Sequence, residues 1–237
     1  MKKSIIFRGL PANTFSECLN ECRRWFKGEI VLSTWEDASI DNSWPIDRLV
    51  LSKDPGQTLD FLNPSLKFSN RQLTAAFNGV KESTGDVVLL TRTDMKHSSD
   101  IFNFYENNKM LCGNMMTIDP LSHLQEKYFR ICDWFQLSSR ELVSSFVDII
   151  DMHFLYLNSG CCMEQIWNIC FLNEAFGYKI NPYDLTFFEF GDKYWNILTK
   201  HYNIMNTIST LKSINLNWAN QPEKLSCYLT EEKIHAR

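Results

Sequence analysis

Asp86-Val87-Val88-Leu89-Leu90-Thr91-Arg92-Thr93-Asp94 is the stretch on which the fold of this 237-residue chain turns. Val87 to Leu90 is an unbroken apolar run, short and half β-branched, as a strand covered on both faces requires. It stops abruptly in a cation and a carboxylate. A buried parallel strand ending in this way delivers Arg92 and Asp94 to the carboxyl edge of its sheet, where open α/β folds bind ligands. The other reading of the two residues is an ion pair at the surface.

Upstream the same arrangement repeats. Ser4 to Phe7 reads as a first strand, followed by the turn Arg8-Gly9-Leu10-Pro11. Thr14-Phe15-Ser16-Glu17 is a capping box heading a helix with Phe15, Cys18, Leu19, Cys22 and Phe26 at spacings of three and four, up to Gly28. Glu29 to Ser33 predicts a second strand opening into Thr34-Trp35-Glu36-Asp37. Arg48 to Leu51 predicts a third, opening into Ser52-Lys53-Asp54-Pro55-Gly56. A second capping box, Ser69-Asn70-Arg71-Gln72, heads a helix with Leu73, Ala76, Phe77 and Val80 on one face, closing near Gly85. Strands alternating with helices over short connections predict an α/β fold with a mostly parallel central sheet, right-handed crossovers and helices on both faces.

Beyond Asp94 the pattern changes. A short helix is expected from Ser98-Ser99-Asp100 to Tyr105, and strands from Met110 to Ile118 and from Tyr128 to Phe135. A third capping box, Ser138-Ser139-Arg140-Glu141, leads a helix with Leu142, Val143, Phe146, Val147 and Ile150, and Met163 to Phe176 reads as an aromatic-rich helix. The expected organisation is one domain over residues 1–180, with 181–237 as an extension packed on it.

With 44% hydrophobic, 14% aromatic and 22% charged residues, the chain supports a large core and is not disordered. A net charge of −4 gives no general attraction to nucleic acid, so a phosphate site has to be built locally. The eight cysteines show no Cys-x-x-Cys spacing and read as reduced and mostly buried, with Cys161-Cys162 a redox-sensitive neighbour pair. The amino-terminal residues are too poor in apolar side chains for a signal peptide, and no apolar run of about 18 residues is present to span a bilayer. The expectation is a cytoplasmic protein. Arg23-Arg24-Trp25-Phe26-Lys27 reads either as a solvated helix end or as a peripheral contact with the inner membrane face.

The Gly-rich phosphate loops and the Gly-x-Ser-x-Gly elbow are both missing from the sequence. What remains is the set of polar strand ends: Arg8, Thr34 to Asp37, Ser52 to Asp54, Arg92 and Asp94. Converging on one rim, they suit a nucleotide diphosphate and a divalent ion held by oxygen ligands. Arg71 and Arg92 can add bidentate phosphate contacts. Asp54, in Lys-Asp-Pro-Gly, reads equally as a turn residue. Arg71 stands in a helix's first turn, where a cation opposes the helix dipole and needs a compensating anion. Asp133, between Cys132 and Trp134-Phe135, is either a desolvated general base or a water-facing residue of an alternating strand. Glu164 is either a first-turn acid or a competing base. His201 is either a surface histidine or a late metal ligand.

Six short segments in order, Ser-Ile-Ile-Phe-Arg-Gly at 4–9, Val-Leu-Ser-Thr-Trp-Glu at 31–36, Leu-Ser-Lys-Asp-Pro-Gly at 51–56, Asn-Arg-Gln at 70–72, Leu-Leu-Thr-Arg-Thr-Asp at 89–94 and Cys-Asp-Trp-Phe at 132–135, resemble the WavE family of lipopolysaccharide-synthesis proteins, over about residues 4 to 176. That family is taken to be glycosyltransferases of the GT-A type. The resemblance implies a single GT-A-like domain that moves a sugar from a nucleotide-sugar donor to a glycan or lipid-linked glycan acceptor, a surface polysaccharide or lipopolysaccharide precursor, with Mg²⁺ or Mn²⁺ as cofactor. Arg92-Thr93-Asp94 would stand where GT-A enzymes carry Asp-x-Asp, with Arg92 replacing the first acid and metal dependence weakened accordingly. Asp94 would meet the metal and diphosphate, assisted by Arg92. Arg8, Thr34, Trp35, Glu36 and Asp54 would contact the donor, Asn70 and Arg71 its sugar or phosphate, and Asp133 would be the base, with Glu164 its competitor. Cys132 replaces a Ser of the family pattern, and Leu137-Ser138-Ser139 lacks an expected Gly. The alternatives are a sugar nucleotidyltransferase, which the Gly-poor turn after Arg8 counts against, and a non-catalytic module that keeps the fold.

Overall fold

The computed structural model describes residues 1–56, 69–97, 99–113, 129, 135–149, 163–184, 196–204 and 211–213. Its strands are β1 (Lys3–Arg8), β2 (Glu29–Trp35), β3 (Arg48–Ser52), β4 (Val87–Arg92), β5 (Met95–His97), β6 (Met110–Cys112), β7 (Phe135–Ser139), β8 (Tyr202–Ile204) and β9 (Leu211–Ser213). Its helices are α1 (Phe15–Trp25), α2 (Ser69–Glu82), α3 (Arg140–Val147) and α4 (Met163–Phe176). Seven strands form one mixed sheet in the order β3-β2-β1-β4-β7-β6-β8, and β5 pairs with β9 in a small antiparallel ribbon. All pairings within the large sheet are parallel except those of β7, which runs against both β4 and β6.

The apolar run at the centre of the sequence behaves as its composition requires. Val87 and Leu89 point into one core with Ile5, Phe7, Ile30 and Leu32, covered by Phe15, Cys18, Leu19 and Cys22 of α1. Val88 and Leu90 point into the other with Ile6 and Val31, covered by α2, α3 and α4. Side chains alternate across a strand, so a strand covered on both faces has no polar position until it leaves the sheet. α2 lies unusually close to β1 and β2, because a Cβ on Gly79 would come within 2.5 Å of Ile6 Cγ2. This approach holds the start of α2 over the strand ends.

The capping expectations need correction. Of the strand expected at Tyr128 to Phe135, residues 128 and 130–134 lie outside the described residues; Phe129 occupies a turn with φ of 61°, and the described strand covers Phe135–Ser139. Ser138, read as a helix cap, pairs with Val88 and donates its hydroxyl to the carbonyl of Lys109, and the cap falls to Ser139, which accepts from the Leu142 amide. Thr14 does precede α1, but its side chain makes no capping bond, and Gln72 of the second box turns to Arg8 instead of the helix end. Of the strand expected at Met110 to Ile118, Met110–Cys112 is strand and 114–118 lie outside the described residues.

Candidate functional site

From β1 the chain steps outward to β2 and β3, then returns to place β4 on the other side of β1. The order therefore reverses between β1 and β4, and the carboxyl ends of those strands border the crevice where ligands bind in open α/β sheets. A cavity of about 520 Å³ lies there, lined among the described residues by Arg8, Gly9, Leu10 and Ala12 after β1, Trp35 at the end of β2, Arg71 and Gln72 in the first turn of α2, and Arg92, Thr93 and Asp94 after β4. Gly9 has φ of +94°, a conformation other residues rarely adopt, and turns the chain out of the sheet to form one wall. Thr93 ties the opposite wall to it by donating its hydroxyl to the Leu10 carbonyl.

Strand periodicity decides which side chains reach the cavity. Arg8 shares the face of Ile6, Trp35 that of Val31, and Arg92 that of Leu90, the face covered by α2 and α4. The register sets Arg8 directly beside Arg92. Like charges at such neighbouring positions repel. Arg8, only 3% exposed, donates to Gln72 Oε1 at 3.0 Å and lies 5.1 Å from the centre of the Trp167 ring of α4, a cation–π contact. Arg92 donates Nε and Nη2 to the two oxygens of Asp94 at 2.9 and 2.6 Å. Arg71 makes a similar two-pronged pair with Asp54, which raises the arginine's pKa and lowers that of the carboxylate. Asp54 is thus the anion that a cation in the first turn of α2 required, and it also accepts from the Gly56 amide as a turn residue does.

A family model for WavE lipopolysaccharide synthesis matches residues 6–130. The chain belongs to the WavE family. No curated protein matches it significantly. The WavE match runs from β1 past β6 and includes every described residue lining the cavity, while Trp167 lies outside it. Membership implies a role in lipopolysaccharide synthesis.

Of the other candidates in this WavE chain, few share the cleft. Thr34 is fully buried on the α1 face, and its hydroxyl has no hydrogen-bond partner among the described residues. Glu36 is exposed in the turn after β2, where its amide donates to the Ser52 carbonyl. Asn70 is half-buried in the first turn of α2. Glu164 stands in the first turn of α4, three residues before Trp167, and is not among the described residues lining the cavity. Asp133 lies outside the described residues.

His201 is neither a surface histidine nor a neighbour of Asp94. It is 5% exposed, with its ring 3.8 Å from that of Phe176 and its Nε2 2.9 Å from the Tyr178 hydroxyl. Burial, with help from Lys200, lowers its pKa to about 4. It immediately precedes Tyr202, which pairs with Met110 on the amino side of the strand ladder, whereas Asp94 lies beyond the carboxyl end of β4.

The divalent ion is tested by the donor set. Asp94 has both oxygens engaged by Arg92, and among the described residues no three His, Cys, Asp or Glu side chains group to hold a metal ion. Among the described residues the cleft offers Mg²⁺ or Mn²⁺ one carboxylate, that of Asp94, and its oxygens are engaged by Arg92.

The sequence reading missed the contribution of α4 and the buried His97, which shares a 2.9 Å hydrogen bond with the Thr91 hydroxyl behind the Arg92 turn. Burial lowers the His97 pKa to about 3. Of the cluster at the end of α1, Arg23, Trp25 and Phe26 are held within the fold, while Arg24 and Lys27 are exposed. Arg23 donates to the carbonyls of Pro45 and Gly28, Trp25 donates to the His97 carbonyl, and Phe26 stacks on Phe102. No helix among the described residues is long and apolar enough to cross a membrane. Cys18, Cys22, Cys112 and Cys170 are buried and unpaired, with burial raising each thiol's pKa.

Proposed function

We propose that this WavE protein is a nucleotide-sugar-dependent glycosyltransferase of GT-A type that adds a sugar to a lipopolysaccharide precursor. The observation that carries the reading is the arginine-lined cavity of about 520 Å³ at the point where the strand order reverses. Its position is the one where open α/β sheets bind ligands, and its size is within the usual range for small-molecule sites. Arg8, Arg71 and Arg92 would meet the donor diphosphate, whose charge grows as the glycosidic bond breaks. Donors fixed before reaction stabilise such developing charge without reorganising. Trp35 offers the ring at the cavity wall against which a base can pack. Asp94 would hold the Arg92 guanidinium in place by its two-pronged bond. Glu164 and Asp133 are the acids offered as base toward the acceptor hydroxyl, a glycan or lipid-linked glycan.

The test is release of nucleoside diphosphate from a panel of nucleotide sugars, with and without an acceptor-containing lipid-linked glycan fraction. One donor class should be turned over, and Asp94→Ala should lower the rate by roughly 100-fold, the usual effect of losing one preorganised electrostatic contact. Full activity in Asp94→Ala would sink the reading. Pyrophosphate release from a nucleoside triphosphate would identify a nucleotidyltransferase, and no response to any nucleotide a non-catalytic module.

A further inference from the structure

β1 and β4 run side by side as far as Arg8 and Arg92, the last pair of their register. There each chain leaves the sheet. Gly9, with φ of +94°, starts the loop that forms one wall of the cleft, and Thr93 and Asp94 form the turn that makes the other. The loop has little of its own to hold it. Its ends are fixed, the Gly9 amide to the Ser33 carbonyl and the Ala12 carbonyl to the Phe15 amide of α1. Between them the Leu10 side chain is 57% exposed, and Pro11 has no amide to donate. At this point the Thr93 hydroxyl donates to the Leu10 carbonyl, joining the two walls across 83 positions of sequence. Thr93 itself is buried, 5% exposed.

We propose that Thr93 is a positioning residue: its hydroxyl ties the loop after β1 to the turn after β4 and holds the cleft at the width that accepts the donor. The inference rests on the glycosyltransferase reading and deepens it. Threonine is β-branched and stiff at χ1, so a buried hydroxyl bound to one carbonyl sets the separation of the walls before a ligand enters. A wall already in place spares the ligand the cost of ordering it. With the tie removed, the loop takes several positions, of which a fraction accept the ligand, and the apparent affinity falls by that fraction. Once a donor is seated, the same groups surround the reacting bond. Binding is therefore weakened while the chemical step is kept.

The experiment compares Thr93→Val, which keeps the side chain's shape and loses the donor, with Thr93→Ser, which keeps the donor. Each is made in the full chain and followed by backbone hydrogen exchange and by steady-state release of nucleoside diphosphate from the nucleotide sugar that the parent turns over. In Thr93→Val the Gly9 and Phe15 amides, whose bonds flank Leu10, should exchange about fivefold faster while Ile6 and Phe7 within β1 are unchanged. The donor KM should rise by roughly 5- to 10-fold, the scale of one lost hydrogen bond, with kcat within about twofold. Thr93→Ser should stay within about twofold of the parent in exchange, KM and kcat. Unchanged exchange at Gly9 and Phe15 in Thr93→Val overturns the inference. So do faster exchange throughout the sheet, failure of Thr93→Val to fold, a fall in kcat at constant KM, and equal losses in the two variants, each of which marks a role other than holding the wall. A parent that turns over no nucleotide sugar defeats the glycosyltransferase reading instead; the tie then stands if faster exchange is confined to Gly9 and Phe15 and falls if it is not.

Discussion

The two edges of the sheet use the same side chains to opposite ends. At the amino edge, Glu29 accepts from the Ser4 hydroxyl, from the amide and hydroxyl of Thr84, and from Arg48, while Asp86 accepts from the Lys2 amide. Burial pushes the Glu29 pKa up, but these donors outweigh it and leave it lowered. Glu29 Oε2 joins β1 to the turn before β4, and Asp86 Oδ2 joins that turn to the amino-terminal residues. At the carboxyl edge, Asp54 and Asp94 each hold a single arginine, and the chain around them stays open around a cavity. Carboxylates at the first edge join parts of the backbone; at the second they aim cations. An acid's role in this fold therefore follows from what donates to it, backbone and hydroxyl or guanidinium.

The largest effect that would test the contrast is on stability at the amino edge. Glu29→Ala leaves the Ser4 hydroxyl and the Thr84 amide without their acceptor, and should cost about 2–3 kcal/mol in denaturant unfolding. Its donor turnover per folded molecule should stay near that of the parent. A loss of turnover without loss of stability would erase the distinction.

Next in size, taken per histidine and per pH unit, is a pH effect shared by the two halves of the molecule. His97 lies behind the cleft and His201 on the amino side, and both are held neutral, with pKa values lowered by burial to about 3 and about 4. A histidine with a depressed folded pKa binds fewer protons folded than unfolded, so its stabilisation is whole above the unfolded value near 6.5 and is lost as pH falls. Unfolding free energy should therefore drop by about 1.4 kcal/mol per pH unit for each histidine between about pH 6 and 4. His201→Asn should remove part of that slope down to about pH 4, measured by urea titration at a series of pH values. An unchanged slope would mean that His201 is protonated in the folded protein.

The smallest expected change is in the stability of Asp54→Ala. A half-exposed ion pair contributes little, so unfolding should shift by no more than about 1 kcal/mol. Donor turnover should fall by a larger factor, because Arg71 loses the group that aims it. Equal changes in stability and turnover would place Asp54 with Glu29 as a structural acid.

Much of the carboxyl edge was legible because strand alternation is a strong signal. Once Val87 to Leu90 is read as covered on both faces, Arg92 must follow Leu90, and Arg8 must follow Ile6, onto one side. The demand of Arg71 for an anion was also legible, though not its satisfaction by Asp54, 17 positions earlier in the sequence. What could not be read were contacts between residues far apart in sequence. Nothing near Arg8 announces Trp167, and the polar Lys-His-Tyr around His201 gives no hint of Phe176 and Tyr178. β5 is too short for a periodic pattern, and β7 hides two buried polar residues, Gln136 and Ser138, among what looked like a helix start. Local signals located the cavity walls on β1, β2, β4 and α2; they predicted the helix α4 but not that it supports the wall.

The place of β7 also has a consequence for how the chain comes into being. β1, β2, β3 and β4 can align in the order in which they are made, but the described partners of β6, β7 and β8, both come after it in sequence. A nascent chain that has emerged to about the end of the family match carries β6 with neither neighbour, and the strand that joins it to β4 has still to emerge. Non-local pairing of this kind is slow and leaves strand edges exposed while it waits. The half of the protein that carries the arginines is thus the half that can order early, and completion of the sheet depends on residues delivered late in translation.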